Sequence, residues 1–348
     1  MSSKKRLSVG DLQVGMIASK EIVCNNKVLI AKGVAINEAA INKLKEQYFY
    51  NQVEVYIEND ADSKKREEME VLEETFVKLS ADMEALFKKI DKLDAEGLEE
   101  VRSFANRIKT ELNAPGNIIK NILMNGSGED AVYRHGVNVA AISGMLGKWL
   151  GFDGNQLNHL IYAAILHDFG KTKIDNSILF KKNTLTKAEV DVLKKHPVVS
   201  YDSITKMPFL DKNVIVAVIM HHEREDGSGY PFGLKGDKIH PFSKIIAIAD
   251  VFDAINSSRI YRKKLLPFES LKIIYKESLD KLNFEYCSVF LNHITNFYVG
   301  ESVLLNDDTE CKIIKFDVNN IDKPLVFNGS DFIDLKTRND LFIKEILI

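Results

Sequence analysis

The chain has 348 residues, which is longer than most domains with a single hydrophobic core, so we expect two to four domains. Its 45% hydrophobic and 28% charged residues are typical of a globular protein, and a net charge of −3 argues against a nucleic-acid polymer as partner. The longest aliphatic run, 214–220, is too short to span a bilayer, and the N-terminal residues contain no signal-peptide core. The three cysteines lie far apart in the sequence and form no paired framework, which is typical of free thiols in a reducing compartment. We therefore expect a cytoplasmic protein that does not insert into membranes.

Residues 1–60 predict a small α+β module. Three short apolar stretches favour strands: 22–24, 28–31 and 53–57. Between the last two, Ala40, Ile41 and Leu44 have helical spacing. The module contains no recognisable cofactor or phosphoacceptor motif, so the sequence leaves its input open.

Residues 61–126 predict a helical linker. Within 69–93, apolar residues recur at alternating spacings of three and four, which is the a/d seam of a coiled coil. The seam consists of Met69, Leu72, Phe76, Leu79, Met83, Leu86, Ile90 and Leu93. Two interpretations remain open: a coiled coil that forms a homodimer or transmits a signal through 69–93, and one helix of an intramolecular bundle.

Residues 127–292 predict a mainly helical domain. A capping box that begins at Thr186 predicts a helix that ends at His196 and Pro197. Residues 293–348 return to short apolar runs separated by polar turns, which favours a small β-rich C-terminal extension. The expected fold class is therefore mainly α, with an all-helical core between two small modules that contain strands.

The histidines carry the strongest functional signal, because all eight occur after residue 134. Five stand beside other potential metal ligands or at expected helix ends: His135, His167, His196, His221 and His222. His167, His221 and Asp250 each follow an apolar segment directly, and Asp168 is next to His167. A carboxylate in such a position is unfavourable to bury without a cation or hydrogen-bond donors. A buried metal cluster explains these positions together, and imidazole with carboxylate suits iron, manganese or zinc.

Five short motifs follow one another in the same region. They read HDFGK (167–171), HP (196–197), HHER (221–224), DGSGYP (226–231) and ADVFDA (249–254). In order, identity and spacing they resemble the HD-GYP domains, a branch of the HD phosphohydrolase superfamily, over residues 131–292. The resemblance implies an all-helical HD-type core and a phosphodiesterase that hydrolyses cyclic di-GMP.

The resemblance also implies two divalent metal ions, with iron or manganese favoured and zinc as an alternative. The family's metal ligands correspond to His135, His167, Asp168, His196, His221, His222 and Asp250. Asp168 would bridge the ions, and a hydroxide between them would attack the phosphodiester to give pGpG and, by further cleavage, GMP. Members with a third metal carry glutamate four residues before the first histidine. Ala131 stands there in this chain, which favours two ions.

Four further residues match positions that contact substrate in the family. Lys171 would lie beside the metal centre as a catalytic and substrate-binding residue, and Tyr230 would line the substrate pocket. Arg259 and Arg262 would hold phosphate or guanine through their planar guanidinium groups. A surface lysine and a purely structural turn remain the alternatives for the first two. Asp253, about one helical turn after Asp250, is interpreted as a supporting residue and not as a ligand.

Three functional hypotheses follow from these residues. The first is an active cyclic di-GMP phosphodiesterase. The second is a non-catalytic sensor or scaffold that binds cyclic di-GMP and passes this state on through the heptad stretch. The third is a hydrolase of another cyclic dinucleotide, such as cyclic GMP-AMP. The complete ligand set favours an enzyme, because a sensor does not need a hydrolytic metal centre.

Overall fold

In a computed structural model of the chain, the described residues are 3–24, 27–31, 34–48, 52–57, 60–90, 94–128, 130, 132–181, 183–257 and 267–347. They divide into two compact units, Met1–Val71 and Leu72–Ile348. The prediction of a mainly α protein with an all-helical core and small sheets near both ends is confirmed. Within the described ranges, no helix combines the length and apolar character that a membrane span needs. The domain boundaries suggested by the sequence stay predictions.

The first unit is built on an antiparallel sheet of order β1-β5-β2 and a separate hairpin of β3 and β4. Its elements are β1 (Ser3–Ser8), β2 (Ile17–Ala18), β3 (Ile22–Cys24), β4 (Lys27–Ile30), α1 (Glu38–Tyr48) and β5 (Gln52–Ile57). Leu44 of α1 packs with Val55 of β5 in a small core. The predicted strands and helix are therefore present. β1 has the sequence SKKRLS, which contains too few apolar residues to be recognised as a strand.

The second unit is a helical assembly followed by a sheet. Its helices are α2 (Asp60–Ile90, which begins in the first unit), α3 (Ala95–Glu111), α4 (Pro115–Asn125), α5 (Tyr133–Trp149), α6 (Gly154–Leu166), α7 (Asn176–Leu179), α8 (Lys187–Leu193), α9 (His196–Ile204), α10 (Lys212–Met220), α11 (Pro241–Ser257), α12 (Pro267–Glu277) and α13 (Phe284–Asn296). The central helix is α5, which packs against α3, α4, α6, α11 and α13. Every residue from Arg134 to Gly147 is buried, so this helix is enclosed on all sides.

The apolar seam of α2 packs inside its own chain. Its buried members are at most 4% exposed and belong to the core that also contains α3, α5 and α6: Phe76, Leu79, Met83, Leu86 and Ile90. The structure supports the bundle-helix interpretation, because these five side chains are already covered by their own chain. A homodimer through 69–93 is therefore not supported by the seam, whose last predicted member, Leu93, lies outside the described residues.

The capping box at Thr186 is present. The Thr186 hydroxyl accepts a hydrogen bond from the Glu189 amide at 3.3 Å, and the Glu189 carboxylate accepts one from the Thr186 amide at 2.7 Å. The helix that it opens, α8, ends at Leu193, and α9 begins at His196 after a two-residue turn. The predicted helix end at 196–197 was wrong, because proline is well tolerated in the first turn of a helix, where its missing N–H needs no partner.

The C-terminal part forms one antiparallel sheet of order β10-β6-β7-β8-β9. Its strands are β6 (Ser302–Leu305), β7 (Glu310–Lys315), β8 (Leu325–Phe327), β9 (Phe332–Asp334) and β10 (Ile343–Leu347). The predicted β-rich extension is confirmed. Val303 and Ile313 are fully buried in the same hydrophobic core as the helices, so the sheet packs onto the helical assembly.

Candidate metal centre

The seven side chains predicted as metal ligands converge in one buried cluster. His135 lies in the first turn of α5, and Asp250 lies within α11. The other five lie at helix ends: His167 and Asp168 follow α6, His196 begins α9, and His221 and His222 follow α10. The cluster is therefore created by the tertiary packing of five helices.

One half of the cluster surrounds the Oδ2 atom of Asp168. The Nε2 atom of His135 lies 3.5 Å from this oxygen, and that of His167 lies 3.3 Å from it. His135 Nε2 also lies 3.2 Å from the Oδ1 atom of Asp250. Two imidazoles and two carboxylates thus direct donor atoms into one small volume, and His135, His167 and Asp250 meet the spacing expected of ligands to a common ion.

The other half surrounds the Oδ1 atom of Asp168. His196 Nε2 lies 3.2 Å from this oxygen, 3.3 Å from His221 Nε2 and 3.1 Å from His222 Nε2. Asp168 therefore directs one carboxylate oxygen into each half. A carboxylate that bridges two metal ions needs this arrangement.

The hydrogen bonds behind the rings set which nitrogen faces the centre. The Nδ1 atoms of His167, His196 and His221 lie 2.7, 2.7 and 2.6 Å from the carbonyl oxygen three residues earlier. A carbonyl only accepts hydrogen bonds, so each Nδ1 carries the hydrogen and each neutral ring has its lone pair on Nε2. The Nε2 atoms of His196 and His221 then direct lone pairs at each other over 3.3 Å, which is repulsive unless a cation lies between them.

Unpartnered atoms give a second test of the fit to metal ions. Nε2 of His135, Nε2 of His167 and Oδ1 of Asp168 are buried and have no hydrogen-bond partner among the described residues. Leaving such groups buried without a partner is costly, and buried polar groups normally have one. All three atoms belong to the cluster, so the donor set fits a pair of divalent cations.

Burial and neighbouring charges shift the pKa values of four residues in the cluster. Burial lowers the pKa of His222 to about 3 and that of His221 well below its usual value. Burial raises the pKa of Asp168, but the charges of Lys171 and His167 outweigh it and hold this pKa well below its usual value. Burial lowers the pKa of His135, but the carboxylates of Asp250 and a second aspartate raise it to about 10. The carboxylates therefore attract positive charge to this nitrogen, and a metal ion competes with the proton there.

Two predicted substrate-contacting residues lie against the cluster. The Nζ atom of Lys171 is 2.6 Å from Oδ2 of Asp168. The ring of Tyr230 stacks on that of His222, with centroids 4.6 Å apart, and its amide donates to the His222 carbonyl. Arg259 and Arg262 lie outside the described residues.

The glycine-rich loop is folded tightly onto the HHER motif. A Cβ atom on Gly229 would lie 2.5 Å from the carbonyl oxygen of His222, so only glycine allows this approach. The buried carboxylate of Glu223 accepts hydrogen bonds from the amides of Phe232 and Leu234 at 2.7 and 2.8 Å. The loop therefore holds Tyr230 over His222, and Glu223 is a supporting residue that the sequence alone did not single out.

Ser200 connects two segments that carry residues of the cluster, and the sequence analysis did not identify it. Its hydroxyl accepts a hydrogen bond from the Gly170 amide at 2.7 Å and donates one to the His167 carbonyl at 3.0 Å. Gly170 belongs to a short 3-10 helix (Phe169–Lys173) that follows Asp168. A serine four residues after a histidine, beyond the predicted helix end at 196–197, is the only sequence signal, and it is a weak one.

Comparison with known proteins places the cluster inside a recognised domain. The HD domain family model matches residues 117–283. The cyclic di-GMP phosphodiesterase response regulator RpfG of Xanthomonas campestris pv. campestris is 37% identical over 138 residues, which are 39% of this chain and 36% of that protein. The cyclic di-GMP phosphodiesterase PdeB of Borreliella burgdorferi is 30% identical over 192 residues, 55% of this chain and 50% of that protein. The 3'3'-cGAMP-specific phosphodiesterase 1 of Vibrio cholerae is 30% identical over 203 residues, 58% of this chain and 44% of that protein.

A solved structure has a similar fold. Bd1817, described as a HDG"Y"P protein from Bdellovibrio bacteriovorus, has a TM-score of 0.53 and 14% identity, covering 84% of this chain and 99% of that chain. Residues 117–283 therefore match the HD domain model, and the predicted resemblance to the HD-GYP proteins is confirmed. The matched regions span about a third to a half of the length of these curated relatives.

Proposed function

We propose that the chain is a metal-dependent phosphodiesterase that hydrolyses cyclic di-GMP to pGpG and, by a second cleavage, to GMP. The observation that carries this proposal is the position of Asp168, whose two oxygens face two separate groups of histidines. Similar proteins are named cyclic di-GMP phosphodiesterases, which supports the same substrate here. When bound, two divalent ions lower the pKa of water and neutralise charge on the attacking and leaving oxygens of a phosphodiester.

The two ions would be held by the two halves of the cluster. His135, His167 and Asp250 would hold one, and the second group would hold the other: His196, His221 and His222. Iron and manganese are the proposed ions, with zinc as the alternative, because all three accept imidazole and carboxylate ligands.

We propose two ions and not three because Asp130, the described acidic residue next to the position of the missing glutamate, is already engaged by other groups. Asp130, the neighbour of Ala131, caps α5: its carboxylate accepts hydrogen bonds from the Tyr133 and Arg134 amides at 2.8 Å each. It also accepts one from the Ser80 hydroxyl at 2.5 Å. The Asp130 carboxylate therefore stabilises the start of α5 and is not proposed as a ligand of a third ion.

Lys171 supplies a fixed positive charge at the centre. Burial lowers the pKa of its ammonium group, but the charges of Asp168 and Asp250 outweigh burial and raise this pKa, so the group stays protonated. With Nζ beside Oδ2 of Asp168, the ammonium would hold a phosphate oxygen and offset negative charge as the bond to the leaving oxygen breaks. Lys171 is therefore proposed as a catalytic residue.

Tyr230 supplies a flat surface at the edge of the centre. Because one face of its ring stacks on His222, the rest of the ring would contact a guanine base of a substrate whose phosphate lies at the cluster. Burial raises the pKa of its hydroxyl, so the group stays a hydrogen-bond donor at neutral pH. Arg259 and Arg262 are proposed to hold the second phosphate or a guanine edge.

Cyclic GMP-AMP is the second candidate substrate, because proteins with 30–32% identity are named 3'3'-cGAMP-specific phosphodiesterases. Initial rates with Mn²⁺-loaded protein would be measured separately on cyclic di-GMP, 3'3'-cyclic GMP-AMP and linear pGpG. The proposal predicts the highest kcat/KM for cyclic di-GMP. A tenfold preference for cyclic GMP-AMP would reassign the substrate, and tight binding without turnover of any of them would support the sensor alternative.

A further inference from the structure

Arg134, the residue before His135, is a buried cation held by the linker helix α2. Its side chain is only 7% exposed. Its Nη2 atom lies 2.6 Å from Oε2 of Glu73, and Nη1 lies 3.2 Å from Oε1, so the guanidinium donates a hydrogen bond to each oxygen of the carboxylate. The planar fork of arginine makes such a two-point contact strong and directional. Glu73 thus connects α2 to the first turn of α5, where His135 lies.

Two asparagines complete a network around the same carboxylate. Asn121 and Asn125 of α4 each donate a hydrogen bond to Oε2 of Glu73, at 2.9 and 3.0 Å. Asn121 also accepts one from Nη2 of Arg134 at 3.1 Å. The aromatic ring of Phe76 lies 5.2 Å from the Arg134 guanidinium carbon and gives that cation a further favourable contact. Glu73 is therefore the shared acceptor of three side chains from two helices.

The other neighbour of His135 is fixed by the same helix. A Cβ atom on Gly136 would lie 2.5 Å from Cε of Met83, so α2 and α5 are in direct contact at this point. Met83 itself is fully buried. The backbone on both sides of the histidine is thus set by α2, one contact being apolar and the other an ion pair.

We propose that Glu73 is a positioning residue of the metal centre, acting through Arg134 on the orientation of His135. The inference rests on the proposed metal-dependent function. The Glu73 side chain is 33% exposed, but its removal leaves the buried guanidinium of Arg134 without a counter-charge, which is unfavourable. Without Glu73, the guanidinium must move toward water. Because Arg134 is adjacent to His135, this movement shifts the start of α5 and weakens the ligand's hold on a metal ion.

The test compares Glu73→Ala and Glu73→Gln with Glu74→Ala. Glu74 is the adjacent glutamate of α2 and is exposed, so it controls for helix propensity and for loss of charge. Mn²⁺ affinity of the metal-free protein would be measured by calorimetric titration, and its unfolding midpoint by circular dichroism. We expect Glu73→Ala to weaken Mn²⁺ binding about tenfold, as loss of a supporting contact to a ligand does. Glu73→Gln keeps a side-chain oxygen that accepts hydrogen bonds, so its Mn²⁺ affinity should fall less. The Mn²⁺ affinity of Glu74→Ala should equal that of the wild type.

A second variant separates positioning from a general structural role. Glu73→Ala combined with Arg134→Met removes both charges and leaves an apolar side chain, so no unpaired ion remains. We expect this double variant to regain most of the lost Mn²⁺ affinity and the d–d absorption spectrum of the Co²⁺-loaded wild type. Recovery of folding stability without recovery of affinity would overturn the inference, as would equal affinities of Glu73→Ala and Glu74→Ala. Failure of the wild type to bind Mn²⁺ would instead contradict the proposed function, and the inference with it.

Discussion

Asp253 lies directly behind His135 and accepts a hydrogen bond from its Nδ1 atom at 2.7 Å. The carboxylate is fully buried, and its other oxygen accepts a hydrogen bond from Asn138 at 2.7 Å. The Ser127 hydroxyl donates to the same oxygen as His135. Because Nδ1 carries the hydrogen of this bond, the Nε2 lone pair of the neutral ring faces the centre. Asp253 therefore selects the tautomer and the orientation in which Nε2 of His135 is available to a metal ion.

Replacement of Asp253 by asparagine should weaken metal binding without removing a ligand. The amide has the size of the carboxylate but lacks its charge, so it holds the imidazole less firmly. We expect Mn²⁺ affinity to fall about 10- to 100-fold in calorimetric titrations. Asp202→Asn, which changes an exposed aspartate of α9, serves as the control. An unchanged affinity in Asp253→Asn would show that the tautomer is set by other contacts.

Replacement of Gly170 by alanine should separate two ligand-bearing segments. The added Cβ would lie 2.3 Å from the carbonyl oxygen of His196 and 2.7 Å from the Ser200 amide, and both are backbone atoms that cannot rotate away. We expect a loss of about 1–3 kcal/mol in the free energy of unfolding, together with reduced turnover. Denaturant unfolding and initial rates measure the two effects. Gly154→Ala, at a position with nothing within 4 Å, should change neither.

Substitutions of Tyr230 should distinguish ring stacking from hydrogen bonding. If the ring contacts a guanine, Tyr230→Phe retains this contact and Tyr230→Ala loses about 1–3 kcal/mol of binding free energy, the range measured for base stacking on aromatic side chains. We expect the KM for cyclic di-GMP to rise about tenfold or more in the alanine variant and little in the phenylalanine variant. Equal increases in both would assign the effect to the hydroxyl.

Removal of metal ions should lower the thermal unfolding midpoint of the protein. Without cations, the lone pairs of His196 and His221 repel each other, and ions bound at 100 times their dissociation constant stabilise the folded state by about 2.7 kcal/mol. This free energy corresponds to a shift of about 5 °C or more for a domain of this size. Scanning calorimetry before and after dialysis against a chelator measures the shift. The shift in unfolding midpoint should be smaller in His222→Ala than in the wild type. An equal shift would mean that the stabilising ion does not bind at His222.

Local sequence patterns mark part of the proposed ligand set, and the resemblance to the HD-GYP domains implied the rest. His167, His221 and Asp250 end or interrupt apolar helical segments, and this contrast is visible without a structure. The fold class could also be predicted, because the apolar residues of the helices recur at regular spacing. What the α2 seam packs against could not be predicted, because a coiled coil and an intramolecular bundle have the same pattern of apolar residues.

The supporting contacts could not be predicted, because they join residues that are distant in sequence. Glu73 and Arg134 are 61 positions apart, and neither belongs to a motif. Ser200 acts on a segment 30 residues earlier. A hydrogen bond between such residues depends on the packing of their helices, which no local spacing encodes. The end of α8 before His196 was misjudged for a related reason, since proline can end one helix or begin the next.

The most direct test of a two-metal phosphodiesterase is anaerobic turnover of cyclic di-GMP by the wild type and by Asp168→Ala, with iron or manganese supplied to both. Asp168 is chosen because both halves of the cluster depend on its carboxylate. Circular dichroism of each protein would verify folding before the assay. Formation of pGpG or GMP by the wild type and its loss in Asp168→Ala is the predicted result. Absence of product from the folded, metal-loaded wild type, or equal turnover by the two proteins, would contradict it.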